Sequence, residues 1–216
     1  MCVICVKEKG VLMPTTENIR AMWDANPHGA GFMFARNGKV FIRKGFMTLD
    51  DFECALLKEN FTKDDVIIMH FRIATQGGIN PEMTHPFALV NKIENTKCLN
   101  ALCDIGIAHN GIIRLTTDFK EKEYSDTAIF ITNYISKLIR KKADFYDAEI
   151  REMIYELGKS KFAFLNGEGD VFMLGDFRKV NGLYYSNLNH EIDRRWLRPE
   201  PIRTKGYVNN LFGKAV

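Results

Sequence analysis

The chain begins MCVICVKEKG, with one cysteine at position 2 and another at position 5. A thiol can bind a metal, form a redox pair or attack an electrophilic carbon, and each use needs different company. Cys2 and Cys5 could in principle join Cys98 and Cys103 as a four-thiolate zinc site. The segment CVICVK, however, has the β-branched composition of a strand. Side chains three apart on a strand face opposite ways, so Cys2 and Cys5 cannot converge on one ion unless the segment turns. A redox pair would need the motif at a helix N-terminus, and no helix signal stands there. The nucleophilic use remains. Removal of Met1, which a small second residue favours, would leave Cys2 first in the chain with a free α-amine beside its thiol. That amine, with an ordinary pKa of about 7.7 to 8.0, can take the thiol proton and later deliver it to a departing amine. No histidine is then needed as base.

Three more short pieces carry polar groups of the right kind: HFRIATQGG at 70–78, IAHNG at 107–111 and YSDT at 124–127. Each has a plain reading when taken alone. Asn-Gly is a common turn pair, an arginine ending a strand is usually solvated, and an aspartate opening a helix interacts with its dipole. In this order, behind Cys2, they resemble the class II glutamine amidotransferase domain of the N-terminal-nucleophile hydrolases. That family begins with a cysteine exposed by methionine removal. It then carries H-x-R-x-[AS]-T-x-G, H-P-F and H-N-G elements and an acidic residue opening a later helix. Here these are Cys2; His70, Arg72, Ala74, Thr75 and Gly77; His85-Pro86-Phe87; His109-Asn110-Gly111; and Asp126. The resemblance spans roughly residues 2 to 185.

The resemblance implies an α+β fold, the four-layer αββα sandwich of two mainly antiparallel sheets. It also implies hydrolysis of the glutamine side-chain amide to glutamate and ammonia through a γ-glutamyl thioester, without a cofactor or metal. Cys2 would be the nucleophile. The Asn110 amide and the Gly111 N–H would hold the oxyanion, where each fixed donor is typically worth about 2.7 to 4 kcal/mol. Arg72, assisted by Thr75, would grip the substrate α-carboxylate bidentately, and Asp126 would pair with its α-ammonium. His85 is expected to line the substrate pocket, while His70 and His109, on strands, are expected to be structural. Two departures bear on the subfamily and the shape of the lid. NPHGAGF stands at 26–32 where the better-known members carry an Arg-Gly segment, and Met83 stands two before His85 where asparagine is frequent.

These residues must be positioned by the elements around them. CVICVK reads as a strand, and ENIRAMWDAN behind Thr15 and Thr16 as a capped helix. Two apolar runs around Asn37-Gly38 predict a tight hairpin, TLDDFECALLKE a second helix and DVIIMHFRIA a buried strand. A loop spans Gln76 to Pro86, and CDIGIAHNGII at 103–113 reads as one further β region. A helix is predicted over 125–142, capped by Ser125 and closed by the Lys/Arg cluster. A second runs through DAEIREMIYELGKS. Strands follow on either side of Asn166-Gly167 and in GLYYS. Paired strands joined by short turns are antiparallel, which favours an α+β sandwich over a parallel βαβ fold.

Composition sets the bounds. The 216 residues suit one domain, with 186–216 as an extension. The 30 basic and 27 acidic residues are mixed, so no basic field points to nucleic acid, and no apolar run points to a membrane. Five cysteines without a regular framework fit a reducing cytoplasm, and Cys5, Cys54, Cys98 and Cys103 read as small buried hydrophobes. Too few residues follow 185 for a synthetase domain, so any ammonia-accepting enzyme is expected to be a separate chain. The tail, with Trp196 and its arginines, either docks on that partner or wraps its own domain. Two other readings keep the fold: hydrolysis of a different γ-glutamyl amide, and a non-catalytic binding subunit.

Overall fold

The computed structural model describes residues 1–74, 78–114 and 123–191. Thr75 and Gly77 of the second motif, and Trp196 with the rest of the tail, lie outside the described residues. The strands are β1 (Val3–Lys7), β2 (Ala30–Arg36), β3 (Lys39–Phe46), β4 (Ile67–Phe71), β5 (Phe87–Ala88), β6 (Asn100–Cys103), β7 (Ile105–Asn110), β8 (Lys161–Asn166), β9 (Val171–Leu174), β10 (Arg178–Val180) and β11 (Leu183–Tyr185). Seven form one sheet in the order β10-β11-β1-β4-β2-β3-β6, and four form a second in the order β5-β7-β8-β9. Every pairing between them is antiparallel.

The predicted hairpin joins β2 and β3. Asn37 and Gly38 both have positive φ, 54° and 73°, the geometry that matches strand twist in a two-residue turn. Asn181-Gly182 repeats it between β10 and β11, with β10 a strand the sequence pattern did not reveal. The region 103–113 is not one β unit. β6 closes the edge of the first sheet on β3, and the chain crosses at Asp104 into β7, the second strand of the other sheet.

Alternation along β1 and β4 sorts the core into layers. Val3, Cys5, Ile67, Met69 and Phe71 pack with Ile19, Met22 and Trp23 of α1 (Thr16–Ala25) and Phe52 and Leu56 of α2 (Leu49–Lys58). Ile4, Val6 and Ile68 face the other way, against Ala108 of β7 and Ala163 and Leu165 of β8. On the far side of the second sheet, Ile107, Phe162 and Phe164 pack under α3 (Asp126–Phe130) and α5 (Ala148–Gly158). The molecule is therefore a mixed α+β sandwich, with helices on the outer face of each sheet. β1 is buried on both faces, which is why its sequence lacks polar alternation.

Two expectations need correction. The helix predicted over 125–142 runs through α3, a π-helical turn at Ile131–Ile135 and α4 (Ser136–Leu138), and stops there. The backbone N–H groups of Arg140 and Lys141 donate to the Asp144 carboxylate at 2.9 and 3.0 Å, so the basic cluster lies beyond the helix. Of the four cysteines read as buried, only Cys5 is. Cys54 lies off the apolar face of α2 that Phe52 and Leu56 define and is exposed, as is Cys98, while Cys103 is half-buried. Among the described residues, no helix is long and apolar enough to cross a membrane.

Candidate active site

Cys2 lies one residue before β1, on the face that Ile4 and Val6 present to the second sheet. The β1–β4 register, with Val3 opposite Phe71, brings the end of β4 and the residues after it alongside Cys2. The Ile73 N–H donates to Cys2 Sγ at 3.3 Å, and Sγ lies 3.5 Å from Ile73 O. Arg72, next in register opposite Cys2, is 4% exposed, its backbone N–H donating to Gly29 O at 2.8 Å and its Nη1 to Gly78 O at 2.8 Å. The Ala74 N–H donates to His28 Nδ1 at 2.9 Å, so the unusual NPHGAGF segment braces the loop behind Arg72.

Asp126 arrives from the other sheet's helix layer. Ser125 caps α3 by accepting from the Ala128 N–H at 3.1 Å, which fixes the first turn. The Asp126 carboxylate then accepts from the Ile113 and Thr127 N–H groups at 2.7 and 2.8 Å. Burial raises the pKa of Asp126, while these two bonds and the Arg72 charge oppose the rise. Burial lowers the pKa of Arg72, and the charges of Cys2 and Asp126 oppose that. Arg72 is thus the charge that acts on both Cys2 and Asp126.

Burial pushes the Cys2 thiol above its ordinary value, against the Ile73 hydrogen bond, the positive amino terminus and Arg72. The thiol is thus protonated near neutral pH and needs a base at the moment it attacks. The three buried histidines cannot serve. His70 Nε2 lies 3.0 Å from His109 O, and His109 holds Thr127 Oγ1 and Ser160 Oγ, each at 2.8 Å. His85 is buried in the loop before β5, its ring 4.3 Å from that of His70 and its Nε2 3.1 Å from Thr127 Oγ1. Burial drives the pKa of His70 and His109 down to about 3 and that of His85 well below its ordinary value. All three are neutral and structural, as the strand positions of His70 and His109 suggested: His70 bridges the two sheets, while His109 and His85 tie to Thr127 of the helix layer.

Asn110 ends β7 on the face of Ala108, toward the first sheet, and is 3% exposed. Its Nδ2 donates to Ser186 Oγ at 2.8 Å, while its Oδ1 has no partner among the described residues. Gly111 follows with φ of 149°, and a Cβ there would overlap the Ser160 hydroxyl. Both facts require glycine. Gly111→Ala should cost about 1 to 3 kcal/mol from backbone strain alone, before the collision with Ser160 is counted. An unchanged thermal midpoint would mean that this backbone relaxes freely.

Several residues here carried no sequence signal. Ser186 and Asn187 follow β11; the Asn187 Nδ2 donates to Cys2 O at 2.6 Å, and Ser186 Oγ accepts from the Ile4 N–H at 2.9 Å. Ser160 and His28 also act only through tertiary contacts. A pattern search could not have found them, because their partners lie tens of residues away. Ser186 to His190 packs on the domain, with His190 against Tyr185 at 5.1 Å, so the core extends past residue 185. Thr75 lies outside the described residues.

A cavity of about 870 Å³ opens at the opposite end of β7, lined by residues including Asp104, Ile105, Arg140, Lys142 and Glu168, and none of Cys2, Arg72, Asn110 or Asp126 lines it. Among the described residues, no three His, Cys, Asp or Glu side chains group so as to hold a metal. Cys5 faces the helices of the first sheet, away from the side of Cys2, as strand alternation requires. No family model matches the sequence, and no curated protein matches it.

Proposed function

We propose that the protein is a class II glutamine amidotransferase-type hydrolase of the N-terminal-nucleophile fold, acting once Met1 is removed. The Cys2 thiol attacks the side-chain carbonyl carbon of glutamine while the α-amine takes its proton. The C–N bond then breaks, ammonia leaves with that proton, and a γ-glutamyl thioester remains. Water attacks the thioester, giving glutamate and restoring the thiol. Asn110 and the Gly111 N–H receive the charge on the carbonyl oxygen, Arg72 takes the α-carboxylate and Asp126 the α-ammonium. Free ammonia escapes into water, so the reading extends to a separate acceptor enzyme that uses it.

The observation that carries this reading is a convergence. Far apart in sequence, Cys2 and Arg72 lie side by side at the end of the β1–β4 pair, Arg72 acts electrostatically on both Cys2 and Asp126, and the Ser186 hydroxyl ties Asn110 to Ile4 of β1. The buried histidines are weak bases with depressed pKa values, and their rings bond to His109 O, Thr127 and Ser160 rather than to Cys2, which favours an amine as base. Intact mass before and after exposure to a glutamine-analogue electrophile, with an ammonia assay on glutamine, tests the proposal. Loss of Met1, one adduct on Cys2 and ammonia release are expected; retained Met1, no adduct and no ammonia would refute it. The groups named here recognise only the glutamyl head, so a panel of γ-glutamyl amides run in the same assay identifies the preferred leaving amine.

Arg72→Ala should raise the KM for glutamine at least about tenfold, since a bidentate charge-assisted pair is worth more than 1.4 kcal/mol, with a smaller change in kcat. An unchanged KM would remove Arg72 from the substrate site.

A further inference from the structure

We infer that Ser186 is a positioning residue that turns the Asn110 carboxamide so that it can donate to the oxyanion; the inference rests on the glutaminase reading above. In the observed arrangement the Ser186 hydroxyl accepts twice, from the Ile4 N–H at 2.9 Å and from Asn110 Nδ2 at 2.8 Å. A serine hydroxyl has two acceptor sites and one proton. Neither of these bonds uses the proton, and the buried Asn110 Oδ1 has no donor among the described residues. The orphaned atom is therefore an acceptor, and an acceptor cannot stabilise negative charge.

Turning the carboxamide by 180° about Cβ–Cγ exchanges its two ends. Ser186 then donates its proton to Oδ1 and keeps the Ile4 N–H as its own donor. The count of hydrogen bonds is unchanged. What changes is the sign of the unpaired end, because two N–H donors of Nδ2 now stand where the lone acceptor stood. A developing oxyanion supplies the partner those donors lack, so the turned state is favoured most when the tetrahedral intermediate forms.

Ser186 is held rigidly enough for this task. It is 1% exposed, its own N–H donates to Ile4 O at 3.0 Å, and Lys161 Nζ donates to its carbonyl at 2.6 Å. Lys161 is the β8 residue paired with Asn110, and Ile4 lies two residues from Cys2. One side chain thus references both the nucleophile's strand and the strand that ends in Asn110. A hydroxyl fixed at both ends sets the carboxamide orientation without touching substrate.

A double-mutant cycle tests this. Ser186→Ala should lower kcat for glutamine about tenfold, the worth of one geometry-setting hydrogen bond at the barrier, and leave KM within about twofold. In an Asn110→Ala background the same change should cost less than about twofold, because its target is gone. Ser186→Cys, of similar volume but a poor donor, serves as a second variant if Ser186→Ala unfolds, and should show the same pattern. The rate of Cys2 alkylation by iodoacetamide, which builds no oxyanion, should not change in either variant. An unchanged kcat, or a penalty that persists undiminished without Asn110, would overturn the role of Ser186 while leaving the glutaminase reading intact. A wild-type protein that releases no ammonia would overturn both.

Discussion

Replacing Cys2 by alanine or serine should slow ammonia release from glutamine by on the order of 10⁴-fold or more, the scale on which loss of a covalent nucleophile is felt. The fold should survive. Cys2 precedes β1 and contributes to neither the helix-side core nor the core between the sheets. The serine variant is the more telling one. Its hydroxyl fits where the thiol was, but it is a far weaker acid, so the α-amine cannot raise enough of the ionised form. A chain that keeps any residue ahead of Cys2 should be as inactive as Cys2→Ala, because the amine is then tied up in a peptide bond. That pairing separates two claims: activity in the extended chain would show that another base serves the thiol, and activity in Cys2→Ala would show another nucleophile. Ammonia release followed by a coupled assay, with thermal midpoints measured beside it, reads both.

Mild acid should unfold the protein well above the pH at which its carboxylates are protonated. His70, His85 and His109 are buried and neutral in the folded state, with pKa values near 3 for His70 and His109 and a depressed value for His85. In the unfolded chain each titrates near pH 6.5. Between those values the unfolded chain binds more protons, so stability falls as pH falls, by about 1.4 kcal/mol per pH unit for each fully titrating histidine. At pH 5 three such groups amount to roughly 6 kcal/mol, which is comparable to the whole stability of a domain at about 5 to 15 kcal/mol. Arg72 and Lys44 act on His85 in the same direction, since protonation would add a charge to an already positive neighbourhood. The denaturation midpoint in urea should drop steeply between pH 7 and pH 5, with a slope of two to three protons taken up on unfolding. An equal midpoint at both values would mean that these histidines can charge within the fold.

The histidines also show what sequence patterns can carry. Their strand positions indicated a structural role, but not that His70 spans from one sheet to the other to reach the His109 carbonyl. The hairpin at Asn37-Gly38 was legible because the turn depends only on the conformations of two adjacent residues. The extent of the helix after Ser125 was not, because Asp144, from beyond its end, takes the N–H groups that would have continued it. Cys54 was misread for a similar reason: composition says that a cysteine tends to be buried, while the facing of α2 decides whether this one is.

By itself the sequence determined most of the strands and helices, though not β10, the crossing at Asp104 or the end of the helix after Ser125, together with the caps and turns, the facing of Cys2 away from Cys5, and the short polar pieces worth attention. All of these follow from interactions among neighbours in the chain, whose period and spacing are visible in one dimension. Only the tertiary structure decided that Arg72 lies beside Cys2 and acts electrostatically on Asp126 as well, and that His85, in the loop before β5, is buried. It alone decided that Ser186, 76 residues beyond Asn110, holds its carboxamide. Those relations depend on which strands pair and which sheet faces meet. Such pairing is settled by the burial of the whole core, and no local pattern encodes it.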